Sequence, residues 1–309
     1  MPANKHVKKV YPASGIRFDI EPKTDFFNNL DAINVMLVGS MPVESLIQYV
    51  DPWVHATWNK EPFPAVKDGD VGKYIKGAAK GEVLPSLLET IPLTFMISGI
   101  DLITVTHLLR HRNFSFSADC SGDKMWHEKD ALVPNSIENS DEIYEQYKHI
   151  VELSKSLYCE MINSKKISIM DARSILPRCL STYYFVHTNL RAALDFIKQR
   201  IDKQIQPETD NVIAYKMYLE IVKTYPFLHG IVDLHFPAMN YVKQAGTDTA
   251  SNLYYPDKDS DIFEWNPDSF VYKCTRDQMN GTNPNAKNRF NEVFTDIEEE
   301  LKQYESKVD

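Results

Sequence analysis

The chain has 309 residues, of which 43% are hydrophobic and 25% charged. That is enough apolar material for a real core in one or two domains, and it excludes disordered, fibrous and disulfide-stapled classes. The formal charge of -9 argues against a general nucleic-acid or membrane binder, because broad phosphate surfaces are held by an excess of Lys and Arg. A small anionic ligand needs only a local basic pocket.

No apolar run approaches the roughly 20 residues of a membrane span, and the polar start Met1 to Lys9 lacks a signal peptide's apolar centre. Cys120, Cys159, Cys179 and Cys274 form no CxxC pair, and the histidines form neither HxH nor HExxH. The expectation is a cytoplasmic protein in a reducing compartment, without a metal site.

The run INVMLV from Ile33 to Val38 reads as a buried strand closed by Gly39. A short amphipathic helix follows from Pro42 to Tyr49, and Pro52 to Gly81 reads as loop around one helix near Val71 to Ala79. Ile91 to Arg112 reads as a strand, Leu93 to Ile97, then a helix from about Asp101 whose end delivers Arg110, His111 and Arg112. Ile143, Tyr147, Ile150, Leu157 and Met161 recur at helical spacing between Asp141 and Ile162, after a start signal at Asn139 and Ser140. A shorter helix, Ile169 to Leu176, is stopped by Pro177. Thr188 to Gln206 reads as the next, closed by Pro207. On it Leu190, Leu194, Ile197 and Ile201 make the buried stripe, with Asn189 and Arg200 on one flank and Arg191 and Asp195 on the other. Asn211 to Val222 continues as helix. After about His229, Asp, Asn, Pro, Tyr and Gly become frequent until a final charged helix near Asn288 to Ser306. There is no internal repeat.

Two features bear chemistry. Arg110-His111-Arg112 ends an apolar helix, where two guanidiniums cost desolvation energy unless an anion meets them. The alternative is a solvated helix end whose cations face the C-terminal dipole. Arg173, Arg191 and Arg200 lie beside an apolar stripe and would line a pocket for an anionic, planar ligand. Here too there is a plainer alternative, an Arg191–Asp195 surface pair at i,i+4 spacing. His107, one turn before His111, reads as packing.

Together these segments, RHRNFSFSADCSGD and DARSILPRCLSTYYFVHTNLRAALDFIKQR, resemble the flavin-dependent thymidylate synthases (ThyX). That family's signature is RHR, seven residues, then Ser-Gly-Arg, followed later by ARxxLP and an Asn-x-Arg helix ending in a further Arg. The second motif matches here without a gap, and the resemblance covers roughly Val35 to Pro226. It implies an α+β protomer with a central antiparallel sheet and flanking helices. Residues 1–30 would form an N-terminal arm, 31–228 the catalytic domain and 229–309 a C-terminal extension. It further implies a homotetramer with shared active sites holding FAD, a pyrimidine deoxynucleotide monophosphate and, in turn, NADPH and 5,10-methylene-tetrahydrofolate. No polymeric nucleic acid and no membrane are involved. The implied reaction is methyl transfer to C5 of dUMP giving dTMP, without a cysteine nucleophile.

Carried residue by residue, Arg110, His111, Arg112, Asn189 and Arg191 would meet FAD. Arg173 would hold the nucleotide phosphate. Arg200 and Ser121 would be catalytic, Arg200 stabilising charge on the pyrimidine and Ser121 lying near its reacting carbon. Arg200→Ala is expected to reduce turnover far more than stability. Thr57, Ser86, Asp119 and Asp195 stand at further cofactor-binding positions, Ser86 within Leu84-Pro85-Ser86 where the family has His-x-Thr, and Asp195 where it has Asn. Eight residues rather than seven separate the triplet from Ser121-Gly122; without the extra one, Cys120 takes the serine's place. The arginine after the glycine becomes Asp123, which would repel a phosphate, with Lys124 beside it to compensate. These departures keep open a related methylation or hydroxymethylation of dUMP or dCMP, and a non-catalytic nucleotide-binding relative.

Overall fold

The computed structural model describes residues 20–57, 71–122, 126–201, 208–234 and 289–305. A short strand β1 (Phe26–Asn28) runs into a single helical turn α1 (Asn29–Ala32) and then into β2 (Asn34–Ser40). Helices α2 (Val43–Thr57) and α3 (Val71–Lys80) precede β3 (Pro92–Ile100), and α4 (Leu102–Leu108) links it to β4 (Ser115–Ala118). Next come β5 (Ala131–Val133), the turn α5 (Asn135–Glu138), the long α6 (Asp141–Asn163) and the short α7 (Ile169–Ala172). Strand β6 (Thr182–Asn189) leads directly into α8 (Leu190–Arg200), then α9 (Glu208–Thr224) and α10 (Arg289–Lys302).

Four strands form an antiparallel sheet in the order β2-β3-β6-β4, while β1 and β5 pair in parallel apart from it. The sheet obeys the period of two: Leu93, Phe95 and Ile97 are fully buried, while Thr94, Met96 and Ser98 face the other side. The main core lies between the buried face and helices α8, α9 and α10. Helix α9 is buried along most of its length because it is the central helix, packed against β2, α8 and α10. From beyond residue 229, α10 adds Phe290, Phe294, Ile297 and Leu301 to this same core. A second, smaller core forms around α6, with Trp126, Val151, Tyr158 and Leu180.

The α+β class with a central antiparallel sheet is what the structure shows. Several elements differ from the sequence reading. The helix expected from Thr188 is strand up to Asn189: TYYFVHTN alternates buried and exposed residues and pairs with both β3 and β4. The tail of that expected helix, 202–206, lies outside the described residues. Helix α2 continues through Pro52 to Thr57 instead of ending at Tyr49. The helix after Ser168 tightens at Ala172 into a 3₁₀ turn, Arg173–Ile175. On α6, Tyr147, Val151 and Tyr158 face the core, whereas Ile143, Ile150 and Leu157 are exposed.

Candidate active site

The Arg-His-Arg segment is held by local geometry at both ends. Asp101 caps α4, its carboxylate accepting from Thr104 N at 2.7 Å. After Leu108 the chain turns, with Arg110 N and His111 N donating to the carbonyls of His107 and Leu108. Asn113 then takes a left-handed conformation at φ 64°, which Asn tolerates, and its carbonyl accepts from Thr188 Oγ1 at 3.1 Å. Because β4 pairs with β6, this loop lies over the end of β6. That end is Asn189, the N-cap of α8, whose Oδ1 accepts from Ala192 N at 2.9 Å. Asn189 is therefore at the head of the helix rather than on its flank.

The two motifs face each other across a cleft of about 640 Å³. Arg110, His111, Arg112, Asn189, Arg191, Asp195 and Arg200, separated by up to 90 positions in the chain, all line it. Four guanidiniums meet two carboxylates, Asp195 and Glu89. Arg200 is the most tightly held: Nε donates to His111 Nε2 at 3.0 Å, Nη1 to Asp210 Oδ2 at 2.9 Å and Nη2 to the His107 carbonyl at 3.4 Å. Burial pulls the Arg200 pKa down, with Asp210 opposing and Arg110 adding to the fall. His111 packs edge-on to Phe196, with ring centroids 4.6 Å apart. Burial, then the neighbouring Arg200, lower its pKa to about 4.

The remaining candidates lie elsewhere. Arg173 donates from Nη1 to Ser121 Oγ at 3.2 Å and from Nε to the Met170 carbonyl at 3.1 Å. Gly122 is buried beside them, and a Cβ there would come within 2.8 Å of Met170 Sδ. This cluster does not line the cleft. The Asp119 side chain is fully buried against Lys129 at 2.6 Å, and Ser86 is exposed on the 3₁₀ turn Pro85–Thr90. Thr57 ends α2; Asp123 and Lys124 lie outside the described residues.

Three residues of this neighbourhood were missed from sequence. Glu89, not Asp195, pairs with Arg191, at 2.6 Å; nothing in the linear pattern joins them. Asp210 fell just outside the helix expected from Asn211, although an acidic residue in a helix's first turn is a usable signal. His107 does more than pack, since its Nδ1 lies 3.3 Å from Asp210 Oδ1.

Fold and cleft together define an α+β protein with an arginine-lined cleft between a helix end and a helix N-terminus. The profile of the family described as Thymidylate synthase complementing protein matches residues 49–227. The chain belongs to this family, that of the ThyX enzymes, as a divergent member. It is 32% identical over 170 residues to the flavin-dependent thymidylate synthase of Pyrococcus furiosus, covering 54% of this chain and 68% of that one. Against the Thermococcus onnurineus protein of the same name it is 30% identical over 204 residues, covering 62% and 80%. Among solved structures, the UMP/dUMP methylase PolB of Streptomyces cacaoi bound with 5-Br UMP is similar in fold, with TM-score 0.52, 16% identity, and coverage of 66% of this chain and 93% of that one. No helix among the described residues is long and apolar enough to cross a membrane.

Proposed function

We propose that the protein transfers a methyl group to C5 of dUMP, giving dTMP. FAD would be the resident cofactor, NADPH the reductant and 5,10-methylene-tetrahydrofolate the one-carbon donor. The observation that carries this reading is the Arg200 guanidinium, buried between Asp210 and His111 and opening on the cleft that Arg110, Arg112 and Arg191 share. The names of the relatives support the same chemistry.

The residues present fit FAD. Three guanidiniums supply fork-shaped donors for a pyrophosphate, and Asn189, its oxygen committed to capping α8, would meet the ligand through its amide nitrogen. When bound, the flavin supplies the reducing equivalents that bring the transferred carbon to the methyl level. Arg200 stabilises negative charge on the pyrimidine oxygens as C5 becomes nucleophilic. His111, neutral at physiological pH, donates a hydrogen bond without adding a third cation beside the two arginines. Asp195 adjusts the charge of the cleft wall, and Thr57, Ser86 and Asp119 are retained as further cofactor-binding positions on the family resemblance alone.

Arg173, Ser121 and Gly122, with Lys124 nearby in sequence, hold the nucleotide phosphate. That they do not line the cleft of their own protomer supports sites shared between subunits of a homotetramer. So does the outer sheet face, where Met36, Met96, Phe185 and Ser117 lie in register and no charged side chain occurs. The exposed stripe of Ile143, Ile150, Leu153 and Leu157 on α6 adds to this. A cytoplasmic location belongs to the same proposal.

One observation favours a second reading. Arg173 meets Ser121 rather than Cys120, which supports Ser121 as the signature serine with an extra residue before it, in a loop that this reading turns toward the nucleotide. A dCMP substrate or a hydroxymethyl product would follow from such a change. The test is FAD titration followed by visible absorption with dUMP or dCMP, then tritium release from each 5-labelled nucleotide with mass analysis of the product. Release from dUMP with thymidylate formed is the expected result. Failure to bind flavin, or inactivity with both nucleotides, overturns the proposal.

A further inference from the structure

Arg200 is fastened from three directions by groups on α4, on the loop after it and on α9. Its Nη2 meets the carbonyl of His107 on α4, its Nε meets His111 in the loop beyond, and its Nη1 meets Asp210 in the first turn of α9. Only Asp210 contributes a full opposite charge at hydrogen-bond distance among these three, and its side chain is 1% exposed. Its second oxygen faces His107 Nδ1 at 3.3 Å, so one carboxylate spans α4 and the end of α8. The neighbouring Asn211 donates from Nδ2 to the Arg200 carbonyl at 2.6 Å, binding the backbone of the same residue to α9.

A guanidinium nitrogen donates and cannot accept. His111 Nε2, which receives the Arg200 Nε hydrogen, must therefore carry its lone pair, and the ring proton sits on Nδ1. The orientation of Arg200 and the tautomer of His111 are one variable, and the carboxylate behind Arg200 sets it.

We propose that Asp210 is a positioning residue: it holds the Arg200 guanidinium in one orientation and, through Arg200, fixes His111 as the neutral tautomer protonated on Nδ1. This rests on the reading that Arg200 meets the pyrimidine. A long, flexible cation presented in many rotamers would lose its advantage to ordering at each turnover; fastened, it presents its charge where charge develops on the ring.

The test compares wild type with Asp210→Asn, which keeps the side chain's size and removes its charge. Three quantities are read: FAD affinity, the dUMP-induced change in flavin absorption with KM and kcat, and the His111 tautomer by long-range ¹H–¹⁵N NMR, assigned against His111→Gln. Expected are FAD affinity within about twofold of wild type, kcat down about tenfold, and a His111 signal that moves from one Nδ1–H tautomer to a mixture. Unchanged kcat with an unchanged His111 signal overturns the proposal. Joint loss of folding and FAD binding also overturns it, by showing a structural role only. If dUMP leaves the wild-type flavin spectrum unaltered, the parent reading of Arg200 fails, while the His111 tautomer still decides the role of Asp210.

Discussion

Arg200 donates its Nε hydrogen to Nε2 of His111 at 3.0 Å, joining the central residue of the Arg-His-Arg triplet to the last residue of α8. The bond is incompatible with a protonated imidazole, and burial acts in the same direction, lowering the His111 pKa to about 4. At neutral pH the triplet therefore brings two positive charges to the cleft rather than three. The imidazole serves as a hydrogen-bonding group set between them.

This has a consequence for acid stability. The folded His111 pKa of about 4 lies below its ordinary value of 6.5, so between those two pH values the unfolded chain binds more protons and stability falls as pH falls. The contribution is complete above pH 6.5 and is lost toward pH 4. His127, also lowered by burial, adds to the same slope. Urea midpoints of wild type and His111→Gln from pH 4.5 to 7 separate the two. A variant with the wild-type slope would show that His111 is not buried neutral.

Arg200 shows how the structure revises an expectation. From sequence, Arg200→Ala should cost turnover and spare stability. With Asp210 buried behind it at 2.9 Å, removing the guanidinium leaves an uncompensated carboxylate, a loss on the order of 3–5 kcal/mol. Arg200→Ala is expected to lower the unfolding midpoint markedly. Arg200→Lys keeps a charge for Asp210 but lacks the fork that also reaches His111; it should remain folded within about 1.5 kcal/mol of wild type and lose at least tenfold in turnover, about 1.4 kcal/mol of barrier. Wild-type turnover in Arg200→Lys would remove Arg200 from the chemistry.

The cleft was legible to the extent that its residues came with their own local signals. Arg110 to Arg112 follow a helix with a clear start at Asp101, and Leu190, Leu194, Ile197 and Ile201 are all buried as their spacing indicates. Strand β6 was not seen, because Asn189 serves both as strand end and as helix cap, so the expected helix was started too early, at Thr188, and the period of two before it was left unread. Glu89 was illegible for a different reason: it acquires its role only from Arg191, brought near by folding, whereas Asp210 carried a first-turn signal that the expected helix start at Asn211 passed over. On α6 the same helical period supports two apolar stripes, and periodicity alone cannot say which one meets the core.

Gly99 offers a test of the sheet itself. It sits where the β3–β6 register shifts between Ser98 and Ile100, at φ 70°, and a Cβ there would lie 1.8 Å from the Ala32 carbonyl oxygen. Gly99→Ala combines a strained backbone with a collision against main chain, and is expected to cost about 4 kcal/mol or more. Gly81, following α3, has a similar φ of 75° but nothing within 4 Å, so Gly81→Ala should cost only about 1 kcal/mol. Denaturant midpoints of the pair check this; equal losses would mean that the contact with Ala32 does not exist in solution.

Lys155 is the least conventional member of the second core. It is fully buried on α6, and its Nζ donates to the carbonyls of Lys23 and Lys129, both at 2.6 Å, residues that precede β1 and β5. The ammonium thus fastens the small parallel strand pair to the long helix. Burial, opposed by Asp130, lowers its pKa to about 8 from an ordinary 10.5. Between those values the unfolded chain binds the extra proton, so this group makes stability rise as pH increases from 8 to 10.5. Lys155→Met should abolish that rise. At pH 7 the substitution relieves a desolvated charge but leaves two carbonyls without their donor, each worth about 1–3 kcal/mol, and the lost hydrogen bonds should dominate with a net loss of roughly 2 kcal/mol. Midpoints measured at pH 7, 8, 9 and 10 give both results at once. A variant more stable than wild type at pH 7, with the alkaline rise intact, would show that the ammonium neither bridges these carbonyls nor titrates in the folded protein.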